Sequence, residues 1–171
     1  MTEGALEPAI AFRAPRPEDL PALVEIYNQG VLDRNATADL EPVTVEQRRG
    51  WFEEHAGGRF PLVVAEAGGA VLGWASVSPY HSRCAYSGTV EVSVYVRRNV
   101  RGGGLGRALL AEITRRAREA GFRRLIALVF SHNAASNRLC RNGGFDHWGS
   151  LKGVTVIDAV ERDVEIWGFA L

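Results

Sequence analysis

Near the middle of the chain the apolar run Val94-Tyr95-Val96 meets Arg97 and Arg98. The segment Arg101-Gly102-Gly103-Gly104-Leu105-Gly106 follows, then Arg107-Ala108-Leu109-Leu110. A strand therefore ends in cations, passes a glycine turn and enters a strong helix former. That order leaves backbone N–H groups unpaired at a helix N-terminus, beside guanidinium groups, and such a place binds phosphate. Each glycine adds conformational entropy to the unfolded chain, so a plain strand–helix connection would use one glycine, not four. A dinucleotide fingerprint needs a further glycine three places after Gly106, where Leu109 stands. A nucleoside-triphosphate loop needs a Gly-Lys-Ser/Thr ending, and Gly106-Arg107-Ala108 is not one.

The rest of the composition narrows the class. A chain of 171 residues, 46% hydrophobic and 23% charged, suits a single domain covering 1–171 with a sizeable core. The formal net charge is zero, so no global field draws the chain to nucleic acid or membrane. Arg115, Arg116, Arg118, Arg123 and Arg124 read as a solvated helix face, whereas Arg97, Arg98, Arg101 and Arg107 border the glycine turn. Cys84 and Cys140 are too few for a disulfide framework. The stretch Met1–Ala14 has acidic residues and no long apolar centre, so it does not read as a signal peptide. A reduced, cytoplasmic setting is expected. His55, His81, His132 and His147 show no metal-ligand spacing.

Periodicity predicts the elements. Ile10–Arg13 is a short strand, and Leu20, Leu23, Val24, Tyr27 and Val31 mark a helix. Asn28–Pro42 reads as a loop or short helix. Thr44-Val45-Glu46-Gln47 is a capping box opening a helix to about His55. Leu62–Glu66 and Val71–Val77, around Gly68-Gly69, form a hairpin. Tyr80–Ser87 is a loop and Thr89–Val96 an alternating strand. The post-glycine helix runs to Ala120, Leu125–Phe130 is a buried strand, and Asn133–Asn142 a short helix. Strands near Phe145–Leu151 and Glu161–Leu171 close the chain. The order β-α-α-β-β-β-α-β-α-β-β implies an α/β (α+β) mixed sheet covered by helices.

Arg101-x-x-Gly104-x-Gly106 after Tyr95-Val96 resembles the acyl-CoA motif of the GNAT N-acetyltransferases. Asn133-Ala134-Ala135-Ser136-Asn137-Arg138-Leu139 with Gly144-Phe145 resembles the last helix and following strand of that family. Arg83-x-x-Tyr86-x-x-Thr89-Val90-Glu91-x-Ser93-Val94-Tyr95-Val96 resembles the phosphinothricin and methionine sulfoximine acetyltransferase subfamily. So do Ala36-Thr37-x-x-x-Glu41-Pro42 and Trp148-Gly149-x-Leu151-Lys152-Gly153-Val154. Asp163-Val164 near Trp167 agrees as well. The resemblance implies the GNAT fold, a mostly antiparallel sheet of about seven strands with about four helices. It also implies acetyl-CoA as donor, no metal, a small amino-acid-like amine as acceptor, and a homodimer.

Residue roles follow from the same resemblance. Val94, Tyr95, Val96, Arg101, Gly102, Gly103, Gly104, Leu105, Gly106, Arg107, Asn133 and Ser136 would bind the acyl donor. Tyr80, His81, Ser82, Arg83, Tyr86, Glu91, Val92 and Ser93 would meet the acceptor. An ammonium cannot attack a thioester, so a base must take its proton. Glu91 is the candidate; otherwise it is an ordinary polar residue on a strand face. A backbone N–H at Val94 or a neighbour would stabilise the oxyanion. Asn133 and Ser136 also suit plain helix capping, and Arg83 a surface position or a carboxylate clamp. Cys140 stands where many relatives carry a tyrosine and the phosphinothricin enzymes a histidine. It reads as a small buried hydrophobe, which leaves the general acid unassigned. Ala38, Val92 and Glu161 replace residues usual in the subfamily, so the pocket walls differ. A CoA-binding module without activity, or an enzyme acting on protein amines, are the alternatives.

Overall fold

The computed structural model describes residues 9–171, so the signal-peptide reading of the first residues lies largely outside them. The strands are β1 (Ala11–Arg13), β2 (Leu62–Ala67), β3 (Ala70–Pro79), β4 (Thr89–Val96), β5 (Arg124–Phe130), β6 (Asp146–Ile157) and β7 (Val160–Ala170). The helices are α1 (Leu20–Leu32), α2 (Val45–His55), α3 (Leu105–Glu119) and α4 (Ala134–Asn142). The seven strands form one sheet in the order β1-β2-β3-β4-β5-β7-β6. Only β4 and β5 run parallel; every other neighbouring pair is antiparallel. The expected mixed, mostly antiparallel sheet with seven strands and four helices is what forms.

Strand alternation sorts the core into two layers. Val63, Ala75, Val90, Leu125 and Ala127 face α3, where Leu109 and Ile113 are fully buried against them. Val64 and Trp74 face the other way, onto Leu23, Ile26 and Val31 of α1 and Phe52 of α2. Trp74 is 1% exposed and donates its indole N–H to the Leu23 carbonyl at 3.1 Å. The buried polar group is thereby satisfied rather than stranded.

Local signals set most boundaries. Thr44 caps α2 by accepting from the Gln47 N–H, and Gln47 accepts from the Thr44 N–H in return. Two expectations need correction. The first helix continues through Asn28 to Leu32, because its apolar stripe carries on to a fully buried Val31. The sixth strand does not stop at Leu151 but runs to Ile157 across a bulge between Leu151 and Thr155. Gly153 takes φ +61° there, and its N–H and the Lys152 ammonium both bind Asp163, at 2.9 Å each. Lys-Gly reads as a break in sequence, while the aspartate across the ladder turns it into a bulge.

Removing the Leu109 side chain should leave a cavity between α3 and the sheet. Leu109→Ala is expected to lower the unfolding free energy by about 2–5 kcal/mol in urea denaturation, with the fold retained.

Candidate active site

The site begins with a defect in the sheet. β4 and β5 pair only from Thr89↔Arg124 to Glu91↔Ile126, then diverge. The Thr89 carbonyl and the Arg97 N–H both point at β3, accepting from the Tyr80 N–H and donating to the Leu72 carbonyl. Backbone groups alternate along a strand, so those of Val94 and Val96 face the gap. Arg101 Nε donates to the Val96 carbonyl at 3.0 Å. Among the described residues no strand partner takes the Val94 N–H.

The glycine turn closes one end of this gap. Gly102 and Gly104 adopt φ of +85° and +86°, a region unfavourable for side chains with a Cβ. Gly104 is the N-cap of α3, so the helix begins with N–H groups that no side chain caps. The arginines beside the turn do not all serve a ligand, contrary to the simplest reading. Asp33, just past the end of α1, accepts from Arg98 at 2.5 Å and Arg101 at 2.6 Å, and Glu25 accepts from Arg97 at 2.7 Å. Burial pushes the Asp33 carboxyl up, but Arg101 and Arg98 outweigh it and hold it below its ordinary value. These pairs fasten the turn to α1. Arg107 has no acidic partner among the described residues.

Two connected cavities follow the gap. The outer one, about 580 Å³, lies between the turn and α4. Its walls include Val94, Tyr95, Val96, Arg101, Gly102, Gly104, Leu105, Gly106, Arg107, Asn133 and Ser136; Gly103 stays outside. Its lining holds three arginines and no carboxylate. Asn133 is the N-cap of α4: its side-chain oxygen accepts from the Ser136 N–H at 3.0 Å and its amide donates to the Asn35 carbonyl at 2.7 Å. The capping role is therefore realised, and Asn133 still lines the cavity.

The inner cavity, about 350 Å³, passes through the sheet. Leu110, Leu139 and Cys140 line it from the α3/α4 face, and Glu91, Ser93 and Tyr95 from the α1/α2 face. Glu91 is the only charged side chain in its lining. Burial pushes the Glu91 carboxyl above its ordinary range, and no hydrogen bond or cation among the described residues opposes this. Burial also pushes the Cys140 thiol up, to about 11. Among the described residues no three potential metal-ligating side chains come together.

Of the expected acceptor residues, Glu91, Val92 and Ser93 line the inner cavity. Tyr80, His81, Ser82, Arg83 and Tyr86 do not. They sit together on an exposed loop, with the Tyr86 ring 5.8 Å from Tyr80 and 4.8 Å from His81. The wall opposite Glu91 is instead a roof, Asn35–Ala38, joined by Leu128, Thr155 and Val164. Both banks hold the roof: the Tyr27 hydroxyl bonds Thr37 at 2.7 Å and Asp39 at 2.5 Å, and His132 bonds the Arg34 carbonyl at 3.1 Å. Ala36-Thr37 carries a sequence signal without an evident role. Leu128, Thr155 and Val164 carry none, because the splay and the bulge place them.

The acetyltransferase (GNAT) family model matches residues 21–145. An L-methionine sulfoximine/L-methionine sulfone acetyltransferase of Pseudomonas paraeruginosa is 41% identical over 137 residues, covering 80% of each chain. A phosphinothricin N-acetyltransferase of Streptomyces coelicolor is 36% identical over 140 residues, covering 80% of this chain and 82% of that one. The crystal structure of a phosphinothricin acetyltransferase from Sinorhizobium meliloti in complex with acetyl-CoA superposes with a TM-score of 0.90 at 32% identity. That match covers 95% of this chain and 88% of that one.

The two cysteines differ in burial, Cys84 being exposed and Cys140 buried. Iodoacetamide at about pH 8 should label Cys84 at least ~100-fold faster than Cys140 in the folded protein, read by peptide mass spectrometry. Equal rates would show that the inner cavity does not shield the thiol.

Proposed function

The chain belongs to the acetyltransferase (GNAT) family, and from that premise we propose how its cleft transfers acetyl from acetyl-CoA to a small amino-acid-like amine. The observation that carries the reading is Glu91: a lone, half-buried carboxylate in a cavity that crosses the sheet, reached from a cationic mouth. A polyanionic donor suits the mouth, and an ammonium suits the interior.

The donor's diphosphate rests on the N–H groups of Gly102–Gly106, with Arg107 beside it. Its pantetheine arm runs along the unpaired edge of β4 at Val94–Val96, between α3 and α4, to bring the thioester into the gap. Tyr95, Arg101, Asn133 and Ser136 shape that channel, and Gly103 contributes through the turn. The amine enters from the α1/α2 face. Glu91 takes its proton, directly or through one water, and the nitrogen lone pair attacks the thioester carbonyl carbon. The Val94 N–H faces the gap and stabilises the oxyanion. Collapse breaks the carbon–sulfur bond and releases CoA thiolate and the N-acetyl product. Cys140 is a poor acid for that thiolate, since its own thiolate would be buried, so the thiolate takes the second proton that the attacking nitrogen sheds as the amide forms, directly or through water. Transfer is direct, because neither cysteine has the base an acyl-enzyme would need.

The acceptor is a substrate of the phosphinothricin, methionine sulfoximine or methionine sulfone type. The relatives' named substrates and the small, mainly apolar roof of Ala36 and Ala38 support this. Tyr80, His81, Ser82, Arg83 and Tyr86 lie outside the cavity of one chain. They serve as the entrance, where Arg83 captures the acceptor's carboxylate. The 171 residues act as one domain in a homodimer. The outer edge strand β6 supports the dimer, since it exposes Trp148, Leu151, Val154 and Val156. A cytoplasmic setting, where acetyl-CoA is made and used, suits two unpaired cysteines.

Thiol release from acetyl-CoA should be detected with methionine sulfone, methionine sulfoximine or phosphinothricin. Glu91→Gln should reduce kcat by about 10²–10⁴-fold while acetyl-CoA affinity holds. An intact kcat in that variant, or no turnover with any amine, would refute the reading. Protonated Glu91 cannot accept a proton, so kcat/KM should fall as pH drops through its raised pKa. The acidic limb should therefore lie above ~4.3, the usual glutamate value. Sedimentation should give twice the 18.7 kDa chain mass; a monomer would contradict the dimer.

A further inference from the structure

Three arginines line the outer cavity, and they are not equivalent. Arg101 is bonded to Asp33 at 2.6 Å and to the Val96 carbonyl at 3.0 Å. Arg107 stands on the first turn of α3, beside the glycine N–H groups. Arg138 lies across the cavity on α4, near Asn142, and is exposed. Like Arg107, it makes no ion pair or side-chain hydrogen bond among the described residues. The cavity thus offers two guanidinium groups on opposite walls, with no carboxylate on either.

Coenzyme A carries its negative charge in two separate places. One is the diphosphate. The other is the phosphate monoester on the ribose 3′ oxygen, which holds close to two charges near neutral pH. The N–H groups of the turn and Arg107 form one anion site on the α3 wall. Arg138 forms a second cationic position on the α4 wall. Resting on the assignment of acetyl-CoA to this cleft, we infer that Arg138 binds the 3′-phosphate and makes the enzyme selective for CoA over 3′-dephospho-CoA. A guanidinium meets a phosphate in a two-pronged geometry that an exposed position still permits. Arg138 also borders a neighbouring groove that includes Asp146 and Glu165; Arg141 lines that groove and not the cavity, with its guanidinium over the Trp167 ring at 5.7 Å. It is the control position.

The test is calorimetric titration of the full chain with CoA and with 3′-dephospho-CoA, which needs no acceptor amine. The wild type should prefer CoA by about three- to tenfold, as expected for an exposed charged contact. Arg138→Gln should bring that preference close to one, with Arg138→Lys restoring part of it. Arg107→Gln should weaken both ligands and keep the preference. Arg141→Gln should not alter the preference. A wild type without preference would overturn the inference. So would an Arg138→Gln variant that keeps the preference or loses both ligands equally, the mark of a diphosphate contact. Failure to bind either ligand would instead overturn the assignment of the cleft to acetyl-CoA.

Discussion

The incomplete pairing of β4 with β5 is the constraint on which the rest depends. A fully zipped parallel pair would satisfy every backbone group and close the sheet. Here the ladder ends at Glu91↔Ile126, and the strands part around a cavity that links the two faces. Leaving backbone groups unpaired is unfavourable in a protein interior, and a ligand that pairs with them removes that penalty. In the proposed function, the same opening lets a donor on the α3/α4 face and an acceptor on the α1/α2 face meet without either crossing the core.

Charge is arranged along that passage. The mouth is cationic with no acid in its lining, and the interior holds a single half-buried carboxylate. Burial raises the basicity of Glu91 and so moves it toward a useful general base. Asp33 has a structural part: by binding Arg98 and Arg101 it sets the turn against α1. Exposed ion pairs of this kind contribute little to stability, so their effect is on the shape of the mouth. The roof Asn35–Ala38 lines the inner cavity, its Asn35 and Ala36 line the outer one as well, and the segment is bonded from Tyr27 on one bank and from Asn133 and His132 on the other. The proposed donor and acceptor sites thus share a wall.

Much of this was legible in the sequence because short-range rules govern it. The Thr44 capping box, the alternation of Thr89–Val96 and the glycines at positive φ each depend on a few neighbouring residues. Glu91 is picked out as the candidate base by the resemblance together with its place on that strand. Of the roof, Ala38 is legible as a pocket wall only through the resemblance, while Ala36 and Thr37 have no wall signal of their own and act by position. Thr155 and Val164 line the cavity beside the bulge at Gly153, which Asp163 holds from across the ladder. The arginines misled for a related reason: their partners Asp33 and Glu25 lie more than sixty residues away in sequence.

The central claim is that the gap brings a thioester, the Val94 N–H and Glu91 together. A crystal structure with a non-reactive thioether analogue of acetyl-CoA and methionine sulfone tests it most directly. The account predicts the analogue's carbonyl oxygen within hydrogen-bond distance, ~3 Å, of the Val94 nitrogen. It also predicts the acceptor nitrogen facing Glu91, directly or across one water. A donor lying outside the β4–β5 gap, or an acceptor nitrogen turned away from Glu91, would contradict it.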